Sequence, residues 1–454
     1  MRKIILFAFL IFAVTARPQD SGTGAVAGKQ PNSFSLQEAI TYALQNNYTV
    51  KNAARDIEIA RQKKRETTAT GLPQINASVD YTNNFVIQKS VVPAIFVDST
   101  AVPGEFAAVE FSPKQSFGGR ATLSQLLFDG SYIVALQASK AYLRYYENAK
   151  QKTDVNIREM VTNNYGNVLL AEESYTILQR NKTILEKTLS DTRETFKNGL
   201  LEEENVEQLE ITLGTVNSNL NNTKRILDIA YKMLKISLGL DINAEIKLTD
   251  KLDNLTTSNL AAVFSKDEFN VSNNIDFKMA QNFIEQRTLE LKLQKSRALP
   301  SLSANVNFGY NAFDQSFRFF NGNTKYYNYS NLGVNLNIPI FSSFARSART
   351  QQAKIALEQA KTQLTESEQR IKLQYESAKS EYDFSVEELA TAKNNLRLAE
   401  RIESKQQIKF TEGLSSSFDF SEAQRQLYTA QQTYLQSMVD IISKRATLES
   451  VINK

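Results

Sequence analysis

The 454-residue chain contains no Cys, no His and no Trp. Their absence excludes disulfides, thiol nucleophiles, zinc-finger clusters and every catalytic device that needs an imidazole. An excess of one charge is missing too. The 53 Lys and Arg face 49 Asp and Glu, a formal +4, and removing Arg2 and Lys3 with a leader lowers it further. That balance gives no reason to expect a nucleic-acid partner. Proline is scarce and confined: none of the eight lies between Lys114 and Leu299, and none follows Pro339. After Gly333 the only glycine is Gly413. Stretches so free of breakers, rich in Ala, Leu, Gln, Glu and Lys, read as long helices. No metal or cofactor motif is evident. Gly22-Thr23-Gly24 lies in a Ser/Gly-rich linker with no strand before it, so a phosphate loop is not indicated. The carboxylates fall on long helices, where a solvated face explains them, and no enzyme is expected.

What is present begins with a leader. Arg2 and Lys3 precede an apolar run over residues 4–14, and Val14-Thr15-Ala16 offers small residues for cleavage after Ala16. The run is too short to span a bilayer. No other apolar run reaches membrane length, so the mature chain (after a linker over 17–33) is either soluble outside the inner membrane or inserted as β-strands.

The rest is duplicated. Leu72-Pro73-Gln74-Ile75-Asn76-Ala77-Ser78-Val79 returns as Leu299-Pro300-Ser301-Leu302-Ser303-Ala304-Asn305-Val306, and Phe196-Lys197-Asn198-Gly199-Leu200 as Phe410-Thr411-Glu412-Gly413-Leu414. The interval from Phe128 to Gly199 matches that from Phe341 to Gly413 to within one residue. Two repeats of helix, strand, strand, long helix, long helix are expected, over 34–240 and 276–454, joined by a segment over 241–275. Strands are placed near 74–85, 119–128, 301–313 and 329–341, and long helices at 342–412 and 415–452. Apolar residues alternate with Asn, Ser, other polar residues and Gly along these strands, less regularly over 121–128. A soluble half-buried sheet gives the same alternation. The export leader and the neighbouring aromatics (Phe317, Phe319, Phe320, Tyr326, Tyr327, Tyr329) favour a membrane barrel with an interfacial girdle.

The long helices carry coiled-coil spacing. From Ala353, the positions Leu357, Ala360, Leu364, Ser367, Ile371, Tyr375, Ala378, Tyr382, Ser385, Leu389, Ala392, Leu396 and Ala399 follow in steps of three or four. A rod of about 100 Å results, far longer than a soluble core requires. Four strands cannot close a barrel, which needs about eight, and open strand edges in lipid are prohibitive. Several chains must therefore share one barrel.

These features resemble the TolC family of outer-membrane efflux proteins over about residue 34 to the C-terminus. The resemblance is carried by Leu36-Gln37-Glu38-Ala39-Ile40 with Ala43-Leu44 and Asn46-Asn47, by both Leu-Pro strand entries, and by Ser124-Gln125-Leu126-Leu127-Phe128-Asp129-Gly130. It is carried also by Asn337-Ile338-Pro339-Ile340-Phe341, the two Phe-x-x-Gly-Leu turns and Asp419-Phe420-Ser421-Glu422-Ala423-Gln424. It implies a mixed α and transmembrane-β fold. A homotrimer would pool four strands per chain into a 12-stranded barrel, continued by an α-helical coiled-coil barrel in the periplasm of a Gram-negative bacterium. The implied function is a passive exit duct for efflux or type I secretion, without a cofactor. It would be fed by an inner-membrane transporter through a periplasmic adaptor and would contact outer-membrane lipid. A periplasmic coiled-coil adaptor or scaffold without a barrel is the alternative.

Three sites are expected on this architecture. The Pro73-to-Phe128 segment is fourteen residues longer than Pro300-to-Phe341, which makes 86–116 an extracellular loop. A basic collar lies just below the barrel: Lys63, Lys64 and Arg65, with Arg61; Lys295 and Arg297, with Lys292; Arg346 and Arg349, with Lys354. It would meet phospholipid head groups, or be ordinary solvated surface. At the tip, the Gly199 and Gly413 turns divide each helix pair. By resemblance the constriction falls on Asp419 and Glu422, with Asn205 and Gln208 at the same offsets of the first turn and Phe410 and Phe196 packing the closed tip. Crowded carboxylates would have raised pKa values. The competing role for the acids is to cap a helix.

Overall fold

A computed structural model describes residues 33–260 and 269–453. The leader, all but the last residue of the linker, and part of the 241–275 segment lie outside the described residues.

Each repeat is a short helix, two strands, a very long helix and a helix of middle length. In the first, α1 (Leu36–Asn46) and α2 (Tyr48–Ala69) lead to β2 (Gln74–Asn83). The β3 (Lys89–Pro93) and β4 (Phe106–Glu110) hairpin then intervenes before β5 (Gln115–Asp129), α3 (Gly130–Lys197) and α4 (Glu203–Leu238). In the second, α6 (Ile275–Ser296) leads to β7 (Ser301–Asp314), β8 (Tyr326–Asn337), α7 (Ala345–Thr411) and α8 (Ser417–Ile452). The short strands β1 (Ser33–Phe34) and β6 (Lys247–Leu248) and the helix α5 (Leu252–Leu260) complete the chain. Corresponding helices have matching lengths: 22 residues in α2 and α6, 36 in α4 and α8, and 68 and 67 in α3 and α7. The α7 seam positions read from the sequence are all buried or half-buried, and the helix packs against α8 and α6.

The repeats share a joint that sequence spacing does not announce. Asn47 breaks the first helix. Its Oδ1 accepts from the N–H groups of Thr49 (2.8 Å) and Val50 (3.4 Å), capping α2, while its Nδ2 donates to Ser237 O in the last turn of α4 (2.7 Å). Asn274 does the same in the second repeat. Its Oδ1 accepts from Asp276 (2.8 Å) and Phe277 (3.3 Å) at the start of α6, and its Nδ2 donates to Val451 O in the last turn of α8 (2.7 Å). Both side chains are buried. Each joins a helix start to another helix end, so α4 continues into α2 and α8 into α6, beside the unbroken α3 and α7. Replacing either Asn by Ala removes a cap and leaves a carbonyl without its donor. We expect a loss of about 2 kcal/mol at each, measured as thermal unfolding in detergent by circular dichroism.

A belt surrounds these joints. β1 and β6 pair in parallel, and Tyr165, fully buried in the middle of α3, donates to Phe34 O (2.9 Å). Asp250 accepts from the Leu36 N–H (2.7 Å) and lies 3.1 Å from the same hydroxyl. Burial pushes the Tyr165 phenol well above its ordinary value, so it stays a donor.

The four long strands form an antiparallel sheet in the order β2-β5-β7-β8. The cross-strand row Ile75–Leu123–Val306–Leu332 is apolar and exposed throughout, with Ile75 at 76% and Leu332 at 69%. The neighbouring row on the other face is Asn76–Thr122–Asn307–Asn331, in which Thr122 donates to Asn307 (2.7 Å) and Asn307 to Asn331 (2.9 Å). A sheet that bares its apolar face while its polar face is hydrogen-bonded is inverted relative to a soluble protein. At the end away from the helices, Phe317, Phe319 and Phe320 of the β7–β8 turn fold onto Tyr81 and Phe117. Among the described residues no helix is long and apolar enough to cross a membrane.

The largest departures from the expected strand bounds have local causes. β5 starts at Gln115 and bulges between Leu126 and Phe128, which accounts for its irregular alternation. β8 stops at Asn337, before Pro339, which has no N–H to continue the ladder.

Candidate functional site at the helical tip

Both tips turn in the same way. Gly199 and Gly413 take positive φ (75° and 70°). Leu200 N–H donates to Thr195 O (3.2 Å), and Leu414 N–H to Lys409 O (2.7 Å), closing each long helix with a left-handed cap. The helices that follow start differently. α4 has Glu202 at its N-cap position with no side-chain cap, and Glu203 and Glu204 in its first turn. α8 is capped by Ser416, whose Oγ accepts from the Asp419 N–H (3.1 Å) and donates to the Asp419 carboxylate (2.9 Å).

Asp419 is therefore turned toward its own helix start. Glu422 is held by Arg425, which donates from Nε (2.9 Å) and Nη2 (2.6 Å). These bonds and the guanidinium charge hold the Glu422 carboxyl below the usual carboxylate range. Within one chain a cation one turn away therefore favours the charged form of Glu422. Glu422 and Gln208 line one groove of about 730 Å³ with Thr212, Phe418, Ser421 and Arg425. Asn205 Oδ1 accepts from the Ser417 N–H (3.2 Å). Gln208 and Glu422 thus share a groove, and Asn205 latches one hairpin to the other.

The two phenylalanines part company. Phe410 is buried, stacked on the fully buried Phe420 with ring centroids 5.3 Å apart, among Leu185, Leu189, Val206 and Leu209. It packs inside the chain. Phe196 lies at the surface, 37% exposed. The serine run 415–417 is the cap that the sequence offers for α8, and Ser416 fills it; sequence reasoning missed the roles of Phe420 and Arg425. Their signals were a second Phe across the Gly turn and a cation three residues after Glu422. A half-buried carboxyl, Glu403, lies deeper beside Gln424 and Tyr428, and burial raises its pKa.

The collar residues differ among themselves. Lys63 pairs with Glu66 (2.8 Å), Arg65 with Gln62 (3.3 Å) and Arg297 with Gln294 (3.3 Å), all within one helix. Arg61 pairs with Glu58. Lys63, Arg65, Lys295, Arg297 and Arg349 are exposed, and Lys64 is half-buried. Arg346 braces the fold instead. Its guanidinium donates to Pro339 O (2.6 Å) and Ile340 O (3.0 Å), holding the β8–α7 corner where Ser343 and Phe344 have positive φ. Neutralising Arg346 should lower thermal stability. Neutralising Lys63, Lys64 and Arg349 together should lower co-purified phospholipid by about half or more with stability unchanged. Thermal unfolding checks the first, and phosphate analysis of the purified protein the second.

A long helical rod, an inside-out sheet and a paired-hairpin tip define a membrane channel component, and the chain belongs to the outer membrane efflux protein family, whose model matches residues 39–240 and 271–454. It is 21% identical over 423 residues to outer membrane protein TolC of Vibrio cholerae serotype O1, covering 92% of this chain and 90% of that protein. Among solved structures it is similar to a membrane protein from Pseudomonas aeruginosa, with TM-score 0.73, 15% identity and 92% of each chain covered. It is similar also to the Campylobacter jejuni CmeC outer membrane channel, with TM-score 0.70, 18% identity, and 92% of this chain and 85% of that one covered. The protein is an outer-membrane efflux channel, and a scaffold without a barrel is not supported.

Proposed function

We propose that three copies of this chain close a 12-stranded barrel and form a passive duct through the outer membrane. The observation that carries this reading is the pair of open edges, β2 and β8, on a sheet whose outward face is apolar. Unpaired backbone in lipid costs several kcal/mol per group. β2 and β8 run in opposite directions, so β8 of one copy can pair antiparallel with β2 of the next. The helices extend into the periplasm as a tunnel, which receives substrate from an inner-membrane transporter through a periplasmic adaptor. The 86–116 loop lies outside the cell. The tip, with Asp419, Glu422, Asn205 and Gln208 from each copy, constricts the tunnel at rest. The duct has no catalytic centre and performs no chemistry on what passes.

The test is the mass of the particle in mild detergent, by light scattering, with conductance in a planar bilayer. A stable particle of three chains that conducts is expected. A monodisperse monomer retaining its full β content overturns the reading.

A further inference from the structure

The connection between β2 and β5 bares more apolar surface than a solvated loop needs. It leaves the sheet at the Asn83–Gln115 pair. Its root is pinned by Asn84, whose N–H donates to Lys114 O (2.8 Å) and whose Nδ2 donates to Pro113 O (2.9 Å). The β3–β4 hairpin stands on this root, with Lys89 paired to Glu110 at its base (3.7 Å). Its two faces differ. Val92, Ala107 and Val109 are half-buried. Val91 and Phe106 point the other way, 68% and 72% exposed, and Phe85 at the root is 92% exposed. A lone hairpin with strands of five residues is not stable in water, and a contiguous bare apolar patch marks an interaction surface.

Where the hairpin is rooted says what covers it. This step rests on the trimeric reading above. β2 is an edge of the sheet, and in the closed barrel β8 of the next copy lies against it. β8 begins at Tyr326, at the same end of the sheet as Asn83. The neighbour therefore brings the start of its β8 beside the hairpin's root, with Tyr326 and Tyr327 half-exposed and Phe320, at 75%, in the turn before it. An anionic lipid surface fits poorly. The only basic residue of the hairpin and its tip, Lys89, is already paired, and Asp98 and Glu105 leave the segment acidic.

We infer that the β3–β4 hairpin is a clasp between subunits, its bare apolar face closing over the β7–β8 end of the neighbouring copy at each of the three seams. The extra length of the first repeat then serves assembly, fastening the outer end of a barrel that no single chain can close.

A chain without cysteine makes the test direct. Phe106→Cys is combined with Tyr327→Cys, and in separate variants with Tyr326→Cys or Phe320→Cys to span the possible strand stagger. Cells are oxidised and the protein run on non-reducing denaturing gels. Covalent dimers and trimers are expected from at least one pair, while each single variant stays monomeric. If every pair stays monomeric while the native particle is still a trimer, the clasp is wrong and the trimer stands. Dimers from Phe106→Cys alone would put the hairpins against one another over the barrel axis, which also overturns the clasp. A monomeric native particle overturns the trimer and the clasp together. In a second measurement, Phe85→Ser with Val91→Ser and Phe106→Ser should lower the dissociation temperature of the trimer by roughly 10 °C. These side chains are exposed in the single chain, so an unchanged temperature overturns the clasp.

Discussion

Replacing Gly239 with alanine should cost about 4 kcal/mol. Gly239 ends α4 in the left-handed conformation (φ 78°), a backbone that costs a residue with a side chain about 1–3 kcal/mol. Its surroundings add to this. A Cβ there would lie 2.4 Å from Asn46 O and 3.0 Å from Asn47 Cα. These are backbone atoms of the α1–α2 break and cannot give way without opening the joint, so overpacking adds about 1–3 kcal/mol. Gly199 and Gly413 supply the control, since they have nearly the same φ but nothing within 4 Å of the added carbon. Alanine at either should cost only the backbone share. Chaotrope unfolding of the three variants, followed by circular dichroism in detergent, separates the two causes. Equal losses at all three positions would show that the contact with Asn46 contributes nothing.

The second large effect is expected in conductance. Asp419→Ala combined with Glu422→Ala should raise single-channel conductance several-fold, weaken cation selectivity and abolish block by multivalent cations. If three copies bring these acids around one axis, their removal takes a ring of negative charge from the narrowest point. Asp419 also belongs to the cap of α8, so a loss of about 1 kcal/mol in stability accompanies the change. Unchanged conductance and selectivity, with that loss of stability alone, would make capping the whole role of the acids. The pH dependence has a definite sign. Arg425 holds the Glu422 carboxyl below the usual range, so its charge is lost only as pH falls through that lowered value. Cation block should therefore persist at a pH where an ordinary carboxylate is already half-protonated. In Arg425→Ala it should fade at higher pH.

Much of the architecture could be read from the chain because it is written twice. The Leu-Pro entries, the Phe-x-x-Gly-Leu turns and the three-four spacing from Ala353 each follow from local rules of backbone and burial. They mark the strands, the tips and the helix seam directly. The tip was legible only in part. The positions of Asp419, Glu422, Asn205 and Gln208 relative to the glycines were visible, since offset along a helix fixes their level. What each side chain holds was not. Whether Asp419 faces a pore or its own helix start is decided by Ser416, and the charge state of Glu422 by Arg425. Phe410 was expected to pack the closed tip, and an aromatic beside a turn can do so within its own chain or against a neighbour; the stack on Phe420 shows its packing within the chain. The Asn47 and Asn274 joints escaped notice for another reason. A single buried amide bridging helices remote in sequence leaves no periodic trace, and the Asn-Asn pairs before both helices were its only sign.

Those joints also set the mechanics of the tunnel. In each chain, α3 and α7 are unbroken columns, and a tilt applied at one end of such a column is carried to the other. The columns beside them are cut at the belt and pinned there by single amide bridges to Ser237 and Val451. A cut and pinned column bends more readily at its pin than an unbroken helix does, because the backbone ladder is interrupted there. Asn205 and Gln208 lie on α4, and Asp419 and Glu422 on α8. The four polar residues of the candidate gate therefore lie on the pinned columns, and Phe196 and Phe410 on the unbroken ones.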